Sequence, residues 1–334
     1  MHKKVMLLVC VLVLLPGLIL ACGADQGPAE SETVTLAMGF IPNIQFAPFY
    51  VAVEKGYFAE EGIEVEFDYG WETDLLKLVG SGELQFAIGS GDQVILARSQ
   101  GLPVAYIMNW YRRFPVCIVA LASAGLQQPH DLAGQVVGTP ATYGASYIGW
   151  RALLDAVGME ESAVELVSIG YTQVAALSEG QVDAAVCYAM NEPVQLRAAG
   201  EDLDIIYVAD YMNLVSNGLI TNEETAAQRP EFVEGLVRAA LRGLADTLDD
   251  PDEAFEIAGE YVPELASDPD TEAVNRAILA ESLEFWRAPA GQLGYSDEDE
   301  WRASQEIMTR MGLLLEETDV TEMFTNRFVQ AASP

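Results

Sequence analysis

From residue 33 onward, short runs of β-branched and apolar residues alternate with stretches whose apolar positions recur at helical spacing. The runs Val34–Met38, Glu64–Tyr69, Phe86–Ile88, Val104–Met108, Val116–Ala120, Val136–Gly138, Val164–Leu166, Ala184–Cys187 and Ile205–Val208 read as strands. Between them Pro48–Lys55, Thr73–Ser81, Gln93–Gln100, Ile148–Val157, Gln173–Ser178 and Asn191–Ala198 read as helices, each bounded by Gly, Pro or acidic turn residues. This alternation predicts an α/β protein with mostly parallel sheets. After about Ile220 the pattern changes. Pro230 stands just inside a run with Phe232, Val233, Leu236, Val237, Ala240, Leu241 and Leu244 at helical spacing, so the C-terminal third is expected to be helical.

The head of the chain obeys neither pattern. Met1-His2-Lys3-Lys4 is a short basic start and Val5 to Ala21 is apolar apart from Pro16-Gly17, the layout of a secretory signal peptide. The Pro-Gly pair breaks a run that would otherwise approach the ~20 residues a membrane helix needs. Leu18-Ile19-Leu20-Ala21-Cys22 resembles a bacterial lipobox, which implies cleavage after residue 21 and lipidation of Cys22. The alternative is an ordinary signal cut nearby, with Cys22 a leftover thiol. The small, polar and acidic residues 22–32 read as a tether.

The mature chain expected after cleavage, residues 22–334, is longer than one core of about 250–300 residues usually holds, so two lobes are expected. A hydrophobic content of 51% excludes a disordered chain. The balance is strongly acidic: 17 basic residues against 51 acidic ones give a formal net charge of −34 at pH 7, which repels nucleic acid and anionic membrane surfaces. Membrane attachment is therefore expected through the lipid alone. Of four cysteines, Cys117 and Cys187 fall inside apolar runs and read as buried free thiols, with a disulfide between them left open.

Catalytic constellations lack parts. Beyond His2 there is one histidine, His130, in the turn Gln127-Gln128-Pro129-His130-Asp131; there are no clustered cysteines and no phosphate-cradling glycine loop followed by Lys-Ser/Thr. Metal sites, Ser-His-Asp chemistry and NTP hydrolysis are disfavoured, and no cofactor is called for.

The segments Gly39-Phe40-Ile41-Pro42-Asn43, Ala47-Pro48-Phe49-Tyr50-Val51-Ala52, Lys55-Gly56-Tyr57-Phe58 and Glu61-Gly62-Ile63-Glu64-Val65 resemble the opening of the solute-binding proteins for thiamin pyrimidine precursors, nitrate, taurine and sulfonates. The likeness continues through Lys77–Ile88, Asp131–Gly138 and Gly180–Ala184. It implies a type II periplasmic-binding-protein fold: two α/β lobes, a hinge of two crossing strands, ligand in the cleft, and delivery to the permease and ATPase of an ABC importer. On that pattern residues 33–111 and 208–334 form one lobe and 112–207 the other, with crossings near Trp110–Pro115 and Ile206–Tyr211. Eukaryotic relatives that synthesise the thiamin pyrimidine use a cysteine-rich motif absent here.

Aromatic residues concentrate where the resemblance puts the cleft: Trp71, Trp110, Tyr111, Tyr143, Tyr147, Tyr171 and Tyr188. Stacking on such rings suits a flat heterocycle, whereas a sulfonate or nitrate needs cationic donors. Ser146 either caps a helix or reaches a ligand carbonyl, and Asn191 and Glu192 can read ring edges. Asn43, Gln45 and Asp92 are ligand contacts or turn formers. Tyr69–Asp74, Ser90–Val94 and Trp110–Pro115 look most like the riboflavin-binding lipoproteins of ABC importers. Riboflavin is therefore the expected ligand, with Trp71 and Tyr188 sandwiching its ring. A formylaminopyrimidine or hydroxymethylpyrimidine is the alternative, ahead of a sulfonate or nitrate binder or a sensory binding protein.

Overall fold

The structure, a computed structural model, describes residues 31–332. The expected signal peptide, Cys22 and most of the expected tether lie outside the described residues.

Ten strands form two five-stranded sheets. The first contains β1 (Glu32–Met38), β2 (Ile63–Tyr69), β3 (Phe86–Ser90), β4 (Val104–Asn109) and β10 (Asn217–Asn222), in the order β2-β1-β3-β10-β4. The second contains β5 (Val116–Leu121), β6 (Val136–Thr139), β7 (Glu165–Ser168), β8 (Ala184–Tyr188) and β9 (Leu203–Tyr207), in the order β7-β6-β8-β5-β9. The two-lobed α/β fold read from the sequence is what the chain adopts.

The sheets are not purely parallel. β10 runs antiparallel to β3 and β4, and β5 antiparallel to β8 and β9. These are the two strands that the chain enters directly from the other sheet, through residues 110–115 and 208–216. An extended crossing delivers the chain from the opposite end, whereas every βαβ step returns it to the same end. The second crossing lies further along than 206–211, because Ile206 and Tyr207 complete β9 and a short 3-10 turn, Val208–Asp210, comes next.

β10 is the strand that sequence reading missed. Its Asn217-Gly218-Leu219-Ile220-Thr221-Asn222 offers a very short apolar run, with Asn and Gly, both poor in β-propensity, at its ends. It forms nonetheless because both its edges pair with buried strands and Gly218 fits: a Cβ there would lie 2.2 Å from Met108 O and from the Tyr106 ring.

The C-terminal helices pack on the first half of the fold, two of them on helix Ala47–Glu54 and the last, Arg327–Ala332, on β4. Proline occupies the first turn of helices Pro230–Asp249, Pro251–Tyr261 and Pro269–Trp286, and Asp250 and Asp268 cap the last two with their side chains. Pro230–Asp249 packs tightly on helix Ala47–Glu54, where a Cβ at Gly243 would lie 2.1 Å from Pro48 O. Residues 106 and 324 form a parallel bridge, tying the end of the chain to β4.

Cys117 and Cys187 are directly opposed on β5 and β8, buried and free. Burial pushes both thiols well above their ordinary range. Among the described residues no helix is long and apolar enough to cross a membrane.

Candidate ligand-binding site

Parallel strands of an α/β sheet place the loops at their carboxyl ends side by side, and ligands collect there. Both sheets do this toward one cavity. Gly39, Phe40, Gln45 and Phe46 follow β1; Trp71, Glu72 and Thr73 follow β2; Pro140 and Tyr143 to Ser146 follow β6; Tyr171 and Gln173 follow β7; Tyr188, Asn191 and Glu192 end or follow β8. Trp110 and Tyr111 from the first crossing and Asn217 from the end of the second complete the wall. The cavity and its open mouth contain about 850 Å³ of space free of protein atoms.

The mouth is aromatic. Trp71, after edge strand β2, stacks on Tyr171, after edge strand β7, with ring centroids 4.6 Å apart and planes 19° apart. Phe40 meets the edge of Tyr171 at 4.7 Å and Tyr143 lies 5.9 Å from Trp71. These contacts join the lobes. The ring stacked on Trp71 is that of Tyr171 because the two edge strands bring this pair together; Tyr188, from the middle strand of its sheet, lines the same cavity. Tyr188 directs its hydroxyl at Asn217 Oδ1, 3.5 Å away.

The floor is polar and positioned by hydrogen bonds. Asn43 Oδ1 accepts from the backbone N–H of Gln45 at 3.0 Å and from Gln45 Nε2 at 3.1 Å, and Gln45 Oε1 accepts from the Tyr111 hydroxyl at 3.1 Å. Asn43 thus lies outside the cavity lining and fixes Gln45, which lies in it. Glu192 accepts from the Tyr188 N–H at 2.9 Å and from Asn191 Nδ2 at 2.9 Å, and burial raises its carboxyl above the usual range. Trp110 Nε1 is buried with no hydrogen-bond partner among the described residues. A close approach also matters: a Cβ at Gly39 would lie 2.7 Å from Ile88 O and 3.2 Å from Glu72 Cβ.

Of the residues expected from sequence, Trp71, Trp110, Tyr111, Tyr143, Ser146, Tyr188, Asn191 and Glu192 line the cavity. Asn43, Asp92 and Tyr147 do not. Asp92 is fully buried behind the wall, where Ser90 Oγ reaches it. Tyr147 turns toward Arg151 and Glu161, at 3.2 Å and 3.3 Å. Ser146 is not a cap: the helix begins at Gly144, with Tyr143 in the capping position, so Ser146 sits in the first turn. Among lining residues, Glu72, Thr73, Gln173 and Asn217 escaped notice; the first three share the position just after a parallel strand, a signal that was readable. Among the described lining residues there is no Lys, Arg or His.

The chain is 45% identical to the riboflavin-binding protein RibY of Chloroflexus aurantiacus, over 94% of this chain and 90% of that protein. It is 32% identical to the formylaminopyrimidine-binding protein of Halalkalibacterium halodurans, over 81% of this chain and 82% of that protein. In fold it is similar to the alkanesulfonate-binding protein SsuA of Xanthomonas axonopodis pv. citri bound to MOPS, with a TM-score of 0.71 at 13% identity over 89% of this chain and 99% of that one. The model of the NMT1/THI5-like family matches residues 43–254. This chain belongs to the NMT1/THI5-like family.

Proposed function

We propose that this protein is the extracytoplasmic solute-binding lipoprotein of an ABC importer and that its ligand is riboflavin. The observation that carries the reading is the chemistry of the cavity: aromatic rings from both lobes around a polar floor, with no cation in the described lining. A flat, uncharged heterocycle satisfies such a wall by stacking, and its carbonyl, imide and hydroxyl groups match Gln45, Asn191, Asn217 and the buried Trp110 N–H. A sulfonate or nitrate would arrive without a counter-charge, beside two carboxyls. The 45% identity to a riboflavin-binding protein supports the same ligand.

In this reading residues 33–111 and 208–334 form one lobe, 112–207 the other, and the segments between the sheets serve as the hinge. Ligand binding adds contacts from both lobes and shifts the population toward the closed form that a permease recognises. Residues 1–21 are the signal peptide, and Cys22 carries the lipid at the end of a tether reaching to residue 32. The protein binds without turnover; its His130 is exposed in the short 3-10 helix Pro129–Leu132 and does not line the cavity.

A second reading, capture of a formylaminopyrimidine or hydroxymethylpyrimidine, draws on the carboxyls of Glu72 and Glu192, which suit a ring amino group. Titration of protein lacking residues 1–22 with riboflavin, monitored by flavin fluorescence with pyrimidines as competitors, separates the two. Saturable quenching that pyrimidines fail to reverse is the expected result. Absence of quenching, with a pyrimidine raising the melting temperature, would transfer the protein to the second reading.

A further inference from the structure

A carboxyl pair stands at the cavity, one member lining it and the other buried behind the wall, and riboflavin binding as proposed above gives it no role. Glu72 opens the helix Glu72–Ser81 and lines the cavity. Its Oε1 accepts from the Ser90 backbone N–H and from Ser90 Oγ, the latter at 2.6 Å. Ser90 Oγ is also in hydrogen-bond contact with Asp92 Oδ1, which accepts from the Gln93 N–H at 2.8 Å. Asp92 is fully buried, and its Oδ2 has no partner among the described residues.

These contacts set the proton count. A hydroxyl has one hydrogen, so Ser90 Oγ cannot donate to both carboxylates at once. One contact must be supplied by a proton on a carboxyl. Two arrangements supply both contacts; the one that keeps the more deeply buried carboxyl neutral runs from a protonated Asp92 to Ser90 Oγ and from Ser90 to an ionised Glu72. Burial lifts both carboxyls above their ordinary range, and for Asp92, pushed up to about 8, the charge of Glu72 adds to it. The charged and titratable groups around the pair are Tyr171, Tyr188 and Glu192 from the second lobe, Tyr106 from β4, and Arg112 with Glu300 beyond it. None forms an ion pair with either carboxyl among the described residues.

We propose that Glu72 is a specificity-determining residue, presenting a hydrogen-bond acceptor that selects an uncharged ligand edge bearing N–H or O–H donors, and that Asp92 is its positioning residue, holding the shared proton through Ser90. This rests on the reading of the cavity as the ligand site. Glu72 Oε2 makes no hydrogen bond to the described protein, which leaves it for the ligand. Anionic ligands meet a negative charge with no cation to offset it. When Asp92 loses its proton, two adjacent charges must be enclosed as the lobes close, and closure is opposed.

The test is affinity for riboflavin from pH 7 to pH 9, on protein lacking residues 1–22, for wild type, Glu72→Gln and Asp92→Asn, with melting curves for each. Wild-type affinity is expected to fall by about tenfold across that range, as one proton must be retained on binding. Asp92→Asn should bind with a flat profile. In Glu72→Gln the Ser90 N–H holds the amide oxygen, so the amide nitrogen faces the cavity as a donor; affinity at pH 7 should fall by about tenfold or more and lose its pH dependence. A flat wild-type profile overturns the proposal without reference to any variant, as does a Glu72→Gln protein that binds as tightly as wild type. Wild type that binds neither riboflavin nor a pyrimidine at any pH overturns the ligand reading and this inference together.

Discussion

Trp71 and Tyr171 show how single residues govern access to the cleft. Each stands one loop beyond an edge strand of a different lobe, and their rings meet face to face at 4.6 Å. No third ring fits between planes so close. A flat ligand therefore either stacks on the outer face of one member or parts the pair, and in both cases the two rings act as a unit. Loss of an aromatic stacking partner weakens binding by about 1–3 kcal/mol. Trp71→Ala and Tyr171→Ala should each weaken riboflavin by roughly tenfold or more, and the double variant should be little worse than either single one. A double-mutant cycle measured by flavin fluorescence checks this: additive losses would mean that the rings contact ligand independently. At this scale the sequence was informative about kinds of residue and less so about partners. The aromatic surplus at Trp71, Tyr143, Tyr171 and Tyr188 was visible, but which ring faces which depends on strand order. Likewise Asp92, in the first turn of helix Gly91–Ser99, and Asn43, in the loop after β1, are polar residues beside the cleft, yet each stands behind the lining and acts on a neighbour, Ser90 or Gln45.

At the scale of elements, legibility tracked length and periodicity. The helix Pro230–Asp249 announces itself through its proline start and its apolar stripe, and nine strands stand out as β-rich runs. β10 does not, because its identity lies in its neighbours: Leu219 and Ile220 are fully buried between β3 and β4, and Gly218 exists to let β4 approach. It is also the strand that closes the second crossing. The backbone N–H groups of Trp110 and Tyr111 both donate to Asn217 O, at 3.0 Å and 2.9 Å, so the two crossings are joined at the cavity wall. Gly218→Ala inserts a methyl group 2.2 Å from Met108 O, where backbone has to move. The expected cost is at least about 2 kcal/mol of stability, the usual scale of overpacking, since a backbone carbonyl cannot rotate away as a side chain can. Urea unfolding of this variant beside wild type measures it; a midpoint within experimental error of wild type would show that β10 relaxes more easily than its packing implies.

The whole molecule is dominated by charge in a way that no single contact reveals. With 51 acidic residues against 17 basic ones, carboxylates far outnumber possible partners. Most cations are already engaged: Lys55 bridges Asp246 and Glu253, Arg238 joins Glu61 and Glu234, and Arg276 contacts Asp252, Glu256 and Glu272. These pairs are partly exposed, so each contributes little, on the order of 0–1 kcal/mol, and little stability is lost when salt screens them. The remaining carboxylates repel one another across the compact surface, and that repulsion is relieved on unfolding. Raising ionic strength from about 0.01 M to about 1 M shortens the screening length from about 30 Å to about 3 Å, which removes the long-range repulsion before it removes contacts made at hydrogen-bond distance. The melting temperature should therefore rise with sodium chloride at neutral pH, most steeply at the low end, and rise less at pH 5, where carboxylates begin to protonate. Calorimetry at the two pH values gives both slopes. A melting temperature that falls with salt would mean that the arginine networks, and not the surplus of negative charge, set the electrostatics of the fold.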